Sequence, residues 1–290
     1  MNKRRRASEI VVLALVFAAA CGGTPKAPAS GPLDILVTND DGIEAPGIGA
    51  LAEALRLLGQ VTIVAPEYGR SGTSHGVTSE RPIRVSESDR EGVRWIAVDA
   101  LPATCVRLAV EELLPSKPGL VVSGINRGEN LGTVTFYSAT VGAAREAAFL
   151  GIPSIAVNLA SSEKMDYEAA ASVTAAIVRS LGRSGIARGT FLNINVPALP
   201  RERLRGVRVT RQDTRAPIDF FERTVAPDGS TFYKPRWEHL EPSGEGTDIW
   251  ALRNGYVSVS VFGFDQSAAV PPAAYLTLKR LETTPLPGSK

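Results

Sequence analysis

Cysteine and histidine are nearly missing from this chain: its 290 residues hold two of each. A zinc centre of Cys and His ligands needs three or four such side chains together, and no such cluster occurs. A disulfide framework is excluded on the same grounds, so stability rests on a core, which a chain this long can bury. Cys105 sits among Val106, Leu108 and Val110 and reads as a packing residue rather than a nucleophile. An excess of charge of one sign is missing too. Residues 1–20 hold Lys3, Arg4, Arg5, Arg6 and Glu9, and without them 28 Lys+Arg face 29 Asp+Glu. A near-neutral domain is neither a nucleic-acid scaffold nor a broad electrostatic membrane surface, so no nucleic-acid duplex is expected as partner. There is no internal repeat, no long charged block and no Gly-x-Gly-x-x-Gly after the first strand, which removes the dinucleotide fingerprint.

Long apolar runs are scarce as well. Ile10 to Ala20 is too short for a comfortable membrane span, but behind the basic Lys3–Arg6 it reads as a secretory signal. Ala18-Ala19-Ala20-Cys21-Gly22 resembles a bacterial lipoprotein signal, with Ala18 where leucine is usual. Residues 1–21 are therefore read as a signal peptide with Cys21 as the lipidation site, an uncleaved signal anchor being the other reading. Residues 22–32, rich in Pro, Ala, Ser and Gly, read as a flexible tether. The expectation is export to the periplasmic side of a bacterial membrane, with the membrane touched only through the lipid.

From Leu33 apolar strands and amphipathic helices alternate: Val61–Ala65, Leu120–Val122, Ser154–Val157 and Phe191–Ile194 as core strands, Ile83–Val85 and Val93–Val98 as a short strand pair, Pro102–Leu114, Thr140–Leu150 and Tyr167–Leu181 as helices. The fold class this implies is α/β: a doubly wound, mostly parallel Rossmann-like sheet with a C-terminal antiparallel β extension. Residues 33–200 form the α/β catalytic core, 201–280 the extension, packed on the core or on another subunit, and 281–290 a tail.

The most informative stretch is Leu36-Val37-Thr38-Asn39-Asp40-Asp41-Gly42, an apolar strand that ends in an amide, two carboxylates and a glycine. Adjacent carboxylates repel and call for a cation, and a hard divalent metal with oxygen ligands fits; an ordinary Asn/Asp/Gly turn is the bland alternative. Arg70-Ser71-Gly72-Thr73-Ser74-His75 follows the second strand and Ser123-Gly124-Ile125-Asn126-Arg127-Gly128 the strand at Leu120–Val122. In a parallel sheet these segments emerge at one edge. Asp40, Asp41, Ser71 and Asn126 then form an oxygen-only shell for one Mg²⁺ or Mn²⁺ per subunit.

At these residues the chain resembles the SurE family of metal-dependent nucleotidases. Asp40-Asp41-Gly42, Ala45-Pro46-Gly47-Ile48, Val64-Ala65-Pro66, Arg70-Ser71-Gly72 and Ser123 to Gly128 carry the likeness. Tyr137-Ser138, Thr140-Val141, Ala143 to Ala148, Gly151-Ile152-Pro153, Gly246-Thr247-Asp248 and Gly255 to Val259 extend it, over residues of about 33 to 260 in order and spacing. The resemblance implies hydrolysis of nucleoside monophosphates and other small phosphate esters at a divalent metal. It also implies a C-terminal part used in a homodimer or higher homo-oligomer, and metal ligands at Asp40, Asp41, Ser71 and Asn126. The chain departs from the family pattern at Leu101 and Thr104, at Gly132-Thr133-Val134 and at Ala139; none is a ligand, and all bear on the substrate pocket.

The mechanism this suggests is a one-step displacement by metal-activated water, with Asp40, Asp41 and His75 as catalytic residues. His75 either protonates the leaving oxygen or stabilises its loop. Phosphate or substrate contacts are assigned to Asn39, Gly72, Arg127, Gly128, Ser138 and Thr140. Ser138 and Thr140 read equally as helix caps, Arg127 as an exposed loop residue, and Asn39 as a support for Asp40. Tyr68, Phe136 and Tyr137 are candidates for stacking on a base or for packing. Two other functions stand beside this one: a lipid-anchored nucleotide-binding protein without turnover, and a broad-specificity acid phosphatase. An aspartyl-phosphate enzyme is disfavoured because no Asp-x-Asp spacing ends the first strand.

Overall fold

The structure, a computed structural model, describes residues 33–182, 185–215, 219–237 and 241–264. The signal, Cys21 and the tether, like the tail, fall outside these residues.

Strand β1 (Leu33–Thr38) opens a nine-stranded sheet. Helix α1 (Pro46–Leu55) follows, with proline in its first turn and Ile48, Leu51, Ala52 and Leu55 on its buried stripe. Next come β2 (Gly59–Pro66), β3 (Val85–Arg90), β4 (Val93–Val98), α2 (Pro102–Leu108) and β5 (Leu120–Arg127). They are followed by α3 (Ala139–Phe149), β6 (Ser154–Leu159), α4 (Tyr167–Leu181) and β7 (Thr190–Val196). The C-terminal elements are β8 (Val207–Thr210), β9 (Asp219–Val225), β10 (Thr231–Trp237), α5 (Asp248–Arg253) and β11 (Val257–Gly263). The sheet order is β3-β4-β2-β1-β5-β6-β7-β11-β8, and the six strands from β4 to β7 are parallel.

Alternating side chains give the central parallel strands two buried faces. Ile35, Val37, Ile63 and Val122 pack under α1 and α4. Leu36, Val64 and Val121 meet Val106, Ala143 and Ala147 of α2 and α3. Cys105 is buried in that second layer, and burial pushes its thiol up, as befits a packing residue.

The structure corrects three details of the sequence reading. The early strand pair begins at Val85, not Ile83, because its outer strand β3 is wholly exposed and carries no apolar face to reveal it. The helix expected over 102–114 is α-helical only to Leu108 and finishes as a π-helical turn over Ala109–Leu113. Ser123 to Arg127 is not a loop but the continuation of β5, with a break in register between Ser123 and Asn126. Gly124 permits the break: its φ is +144°, and a Cβ there would lie 2.4 Å from the Val157 carbonyl oxygen. The C-terminal extension is antiparallel as expected, with one parallel pairing added. β11 runs antiparallel to β7 and joins the main sheet, β8 runs parallel to β11, and β9 and β10 form their own antiparallel pair.

Candidate functional site

The site lies at the carboxyl edge of the parallel strands, where β1 stops. Asn39 is fully buried; its Nδ2 donates to the Gly42 carbonyl at 2.8 Å and shapes the turn that carries both aspartates. Asp40 is 3 % exposed, and the Thr140 hydroxyl at the start of α3 donates to its Oδ1 at 2.5 Å. Burial pushes the Asp40 carboxyl up to about 6; the Thr140 bond pulls the other way and the charge of Asp41 adds to the rise. Burial also raises Asp41, against the Arg127 backbone N–H that donates to Asp41 Oδ2 at 3.0 Å.

Two bonds tie the other segments to these aspartates, one through a main-chain carbonyl and one through a carboxylate. The Arg70 N–H donates to the Asp40 carbonyl at 2.7 Å, which brings Ser71 to the edge, and the Arg127 bond to Asp41 does the same for Asn126. Asn126 Nδ2 is spent on the Gly128 carbonyl at 2.8 Å, which leaves its Oδ1 as the free donor atom. Ser71 is exposed and makes no hydrogen bond among the described residues.

This donor set fits a hard divalent cation. Two adjacent carboxylates, one pushed up by burial and repulsion, are joined by a neutral amide oxygen and a hydroxyl. Each carboxylate commits one oxygen to Thr140 or Arg127, so the second oxygen of each lies outside those bonds. Beneath them the buried oxygens Thr38 Oγ1, Asn39 Oδ1 and Ser123 Oγ have no partner among the described residues, so the edge holds more oxygen donors than the chain satisfies. No group of three His, Cys, Asp or Glu forms among the described residues, which leaves Ser71 and Asn126 to complete a shell around the pair.

The remaining candidates divide. Thr140 is fully buried and its hydroxyl is given to Asp40, so it supports a carboxylate instead of facing solvent. Ser138 caps α3, accepting from the Val141 N–H at 3.2 Å. The Gly128 N–H donates to the Leu159 carbonyl at 2.8 Å and is not free for phosphate, whereas Gly72, with φ +74°, stands in open space. Arg127 is exposed beside Asp41. Tyr68, Phe136 and Tyr137 are all exposed. His75 is turned along α3, its Nε2 2.8 Å from Glu146 Oε2. Thr104, on α2, holds the segment that carries Thr78, accepting from the Thr78 N–H at 2.8 Å while Thr78 Oγ1 accepts from the Leu101 N–H at 3.1 Å.

Sequence reasoning missed Tyr167, the first residue of α4. Its ring packs over Gly47 so closely that a Cβ there would meet ring carbons at 3.1 Å. Burial raises the Tyr167 hydroxyl, and the charge of Asp41 adds to that rise. The one available signal was its place after β6, on the same sheet edge. Also missed was the frame behind Asn126: Asn130, Asn158, Asn193 and Asn195 are all buried and bonded to one another. Asn130 Nδ2 donates to Asn158 Oδ1 at 2.7 Å, Asn158 Nδ2 to Asn193 Oδ1 at 2.8 Å, and Asn193 Nδ2 to the Asn130 carbonyl at 2.8 Å. Asp248 ties the next turn to the C-terminal part, accepting from the Gly132 N–H at 2.8 Å and the Asp213 N–H at 2.9 Å.

The sequence model of the family described as "Survival protein SurE" matches residues 35–218. The chain is 46 % identical over 238 residues to the "5'-nucleotidase SurE" of Geobacter sulfurreducens, covering 80 % of this chain and 88 % of that one. It is 45 % identical over 241 residues to the "5'-nucleotidase SurE 1" of Thermus thermophilus, covering 81 % and 93 %. Among solved structures, the Sure protein from Aquifex aeolicus superposes with a TM-score of 0.75 at 40 % identity, over 86 % of this chain and 99 % of that one.

Proposed function

The chain belongs to the SurE family, and from that premise we propose that it is a metal-dependent phosphomonoesterase that hydrolyses nucleoside monophosphates to nucleoside and phosphate. The observation that carries this reading is the carboxylate pair of buried Asp40 and half-buried Asp41, braced by Thr140 and flanked by Ser71 and Asn126. These four residues, Asp40, Asp41, Ser71 and Asn126, are the ones that would hold the cation, Mg²⁺ or Mn²⁺. When bound, such an ion supplies positive charge to a phosphoryl group and acidity to water.

The chain's own residues do the rest. Thr140 keeps Asp40 oriented and lowers its affinity for a proton, so the carboxylate is ionised at neutral pH. The Arg127 backbone N–H orients Asp41, and its exposed side chain stands beside the site as a phosphate partner. The N-terminus of α3 points its dipole at this edge, which favours an anion there. Gly72, open on its outer side, lets a phosphoryl group approach the backbone. Tyr68 and Tyr137, exposed around the edge, are suited to stack on a base.

Export and lipidation at Cys21 belong to the same proposal and rest on the basic Lys3–Arg6, the apolar run to Ala20 and the Ala-Cys-Gly junction. A homo-oligomer is supported by the exposed apolar residues Phe221, Phe232 and Tyr233 on the β9–β10 pair. The test is phosphate release from nucleoside monophosphates and from a generic phosphate ester with Mg²⁺, Mn²⁺ or EDTA. Turnover that needs metal and falls at least a thousandfold in Asp40→Asn is the expected result. Equal turnover in EDTA would overturn it.

A further inference from the structure

Ser71 is the ligand candidate with nothing to hold it. It is exposed, makes no hydrogen bond among the described residues, and precedes Gly72, whose surroundings are open. Its place is set by what grips the loop on either side. Upstream, the Arg70 N–H donates to the Asp40 carbonyl and the Arg70 side chain pairs with Asp99 at 3.0 Å. Downstream, the loop is pressed against α3 and the turn before it. The Ser74 N–H donates to the Tyr137 carbonyl at 3.0 Å and its hydroxyl to the Phe136 carbonyl at 2.5 Å. The approach to α3 is so close that a Cβ on Gly142 would lie 2.5 Å from the Ser74 carbonyl oxygen and 3.0 Å from the His75 Cα.

Beyond that contact the loop ends in an ionic anchor. Glu146 of α3 has a side chain only 4 % exposed, and a carboxylate that deep in the protein needs compensation. It receives His75 Nε2 at Oε2, at 2.8 Å, while the Arg107 guanidinium from α2 pairs with Oε1. The His75 ring also leans on Phe149, with centroids 5.1 Å apart. Burial raises the Glu146 carboxyl, but the His75 bond and the Arg107 charge outweigh it and leave the group below its ordinary value.

We propose that Glu146, shared between His75 and Arg107, is a positioning unit that holds the loop bearing Ser71 in place and so sets how tightly the cation site grips its ion. His75 is a positioning residue in this arrangement. Its Nε2 faces a carboxylate six residues along α3 from Thr140, which is about 9 Å of helix rise. A proton donor to the leaving oxygen must stand within hydrogen-bond reach of it, and this nitrogen is engaged elsewhere. Groups outside the ligand shell that orient it carry measurable affinity: their loss commonly weakens metal binding by about 10- to 100-fold.

The inference rests on the cation site proposed above, and the experiment separates the two by reading Mn²⁺ binding to the full chain by calorimetry, without substrate. If wild-type protein binds no Mn²⁺, both the cation site and the anchor fall. If it binds Mn²⁺ but releases no phosphate, only the nucleotidase reading falls. Given binding, His75→Ala is expected to weaken Mn²⁺ affinity by about tenfold or more. Its kcat should return toward the wild-type value at saturating Mn²⁺. His75→Gln, which keeps an N–H near the Nε2 position, should stay within about threefold. Glu146→Gln should behave like His75→Ala. Where melting curves show either variant unfolded, Arg107→Met, altering a half-exposed partner, takes its place and should weaken Mn²⁺ by about threefold or more. Affinity within twofold of wild type in the folded variants overturns the proposal. So does a kcat lost in both His75 variants at saturating Mn²⁺, which would make His75 a proton donor.

Discussion

Thr140 serves Asp40 while the helix cap falls to Ser138. A buried carboxylate beside another carboxylate is driven toward its protonated form, and the hydroxyl bond is the chief force that opposes this. A hydrogen bond to a charged group is worth about 1.5 to 3 kcal/mol, or about one to two pH units. Thr140→Val keeps the shape and removes that bond, so Asp40 should hold its proton well above pH 6. The expected outcome is Mn²⁺ affinity lowered about tenfold at pH 6 and little changed at pH 8, measured by titration at both pH values. An equal loss at both would mean that Thr140 shapes the site without tuning Asp40. Thr104 makes a related point about side chains that differ from the family pattern. It faces the loop end at Thr78 and works as an anchor, so its effect on substrates passes through the loop.

At the scale of elements, α3 meets three demands at once: its first turn serves Asp40, its middle carries the Ser74–His75 contact, and its last turns carry the Glu146 anchor. Gly142→Ala sets two effects against each other. Alanine in a helix interior is favoured over glycine by about 1 kcal/mol. The added Cβ would stand 2.5 Å from a backbone oxygen that no rotamer change can move, and overpacking of this kind costs about 1 to 3 kcal/mol. The clash should win, lowering the melting temperature and weakening Mn²⁺ together; a raised melting temperature with intact binding would show that the loop is not clamped. The same helix shows what was legible beforehand. Its extent, Thr140 to Leu150, is readable from Gly151 as its stop, and β1, β2, β6 and β7 from their apolar runs. Two carboxylates at a strand end, a serine after a second strand and an asparagine beyond a third were readable as a set, because parallel strands deliver their ends to one edge. The rest depends on contacts distant in sequence. β3 hides because neither of its faces is buried, and the β5 extension hides behind a polar, glycine-bearing stretch. The parallel pairing of β8 with β11 leaves no local trace, nor does the meeting of His75, Glu146 and Arg107, which lie on a loop and two different helices.

Across the whole molecule, the cation site should couple stability to pH in a way that isolates Asp40. In the metal-free protein its carboxyl is raised from the ordinary 3.8 to about 6. The native state therefore holds a proton that the unfolded chain releases. The contribution is favourable below the unfolded value and is lost as pH climbs through 6, by about 3 kcal/mol for a shift of about two units. Glu146 and Asp213, both lowered, act in the opposite sense: their support is present above the ordinary carboxylate range and fails as pH falls below it. A simple stability profile would mix all of these. The difference between Mn²⁺-saturated and EDTA-treated protein cancels every group that does not touch the ion. Bound Mn²⁺ displaces the Asp40 proton, so apparent affinity should fall about tenfold per pH unit below 6 and level off above it. At fixed Mn²⁺ the stabilisation is RT ln(1 + [Mn²⁺]/Kd), so the gap between the two melting temperatures should widen from pH 5 to pH 6.5 and then stay constant. Calorimetry in two buffers should show about one proton released on binding at pH 5 and about none at pH 7.5. A gap that does not change with pH would remove Asp40 from the ligand set. A gap that persists unchanged in Asp40→Asn would place the ion elsewhere in the molecule.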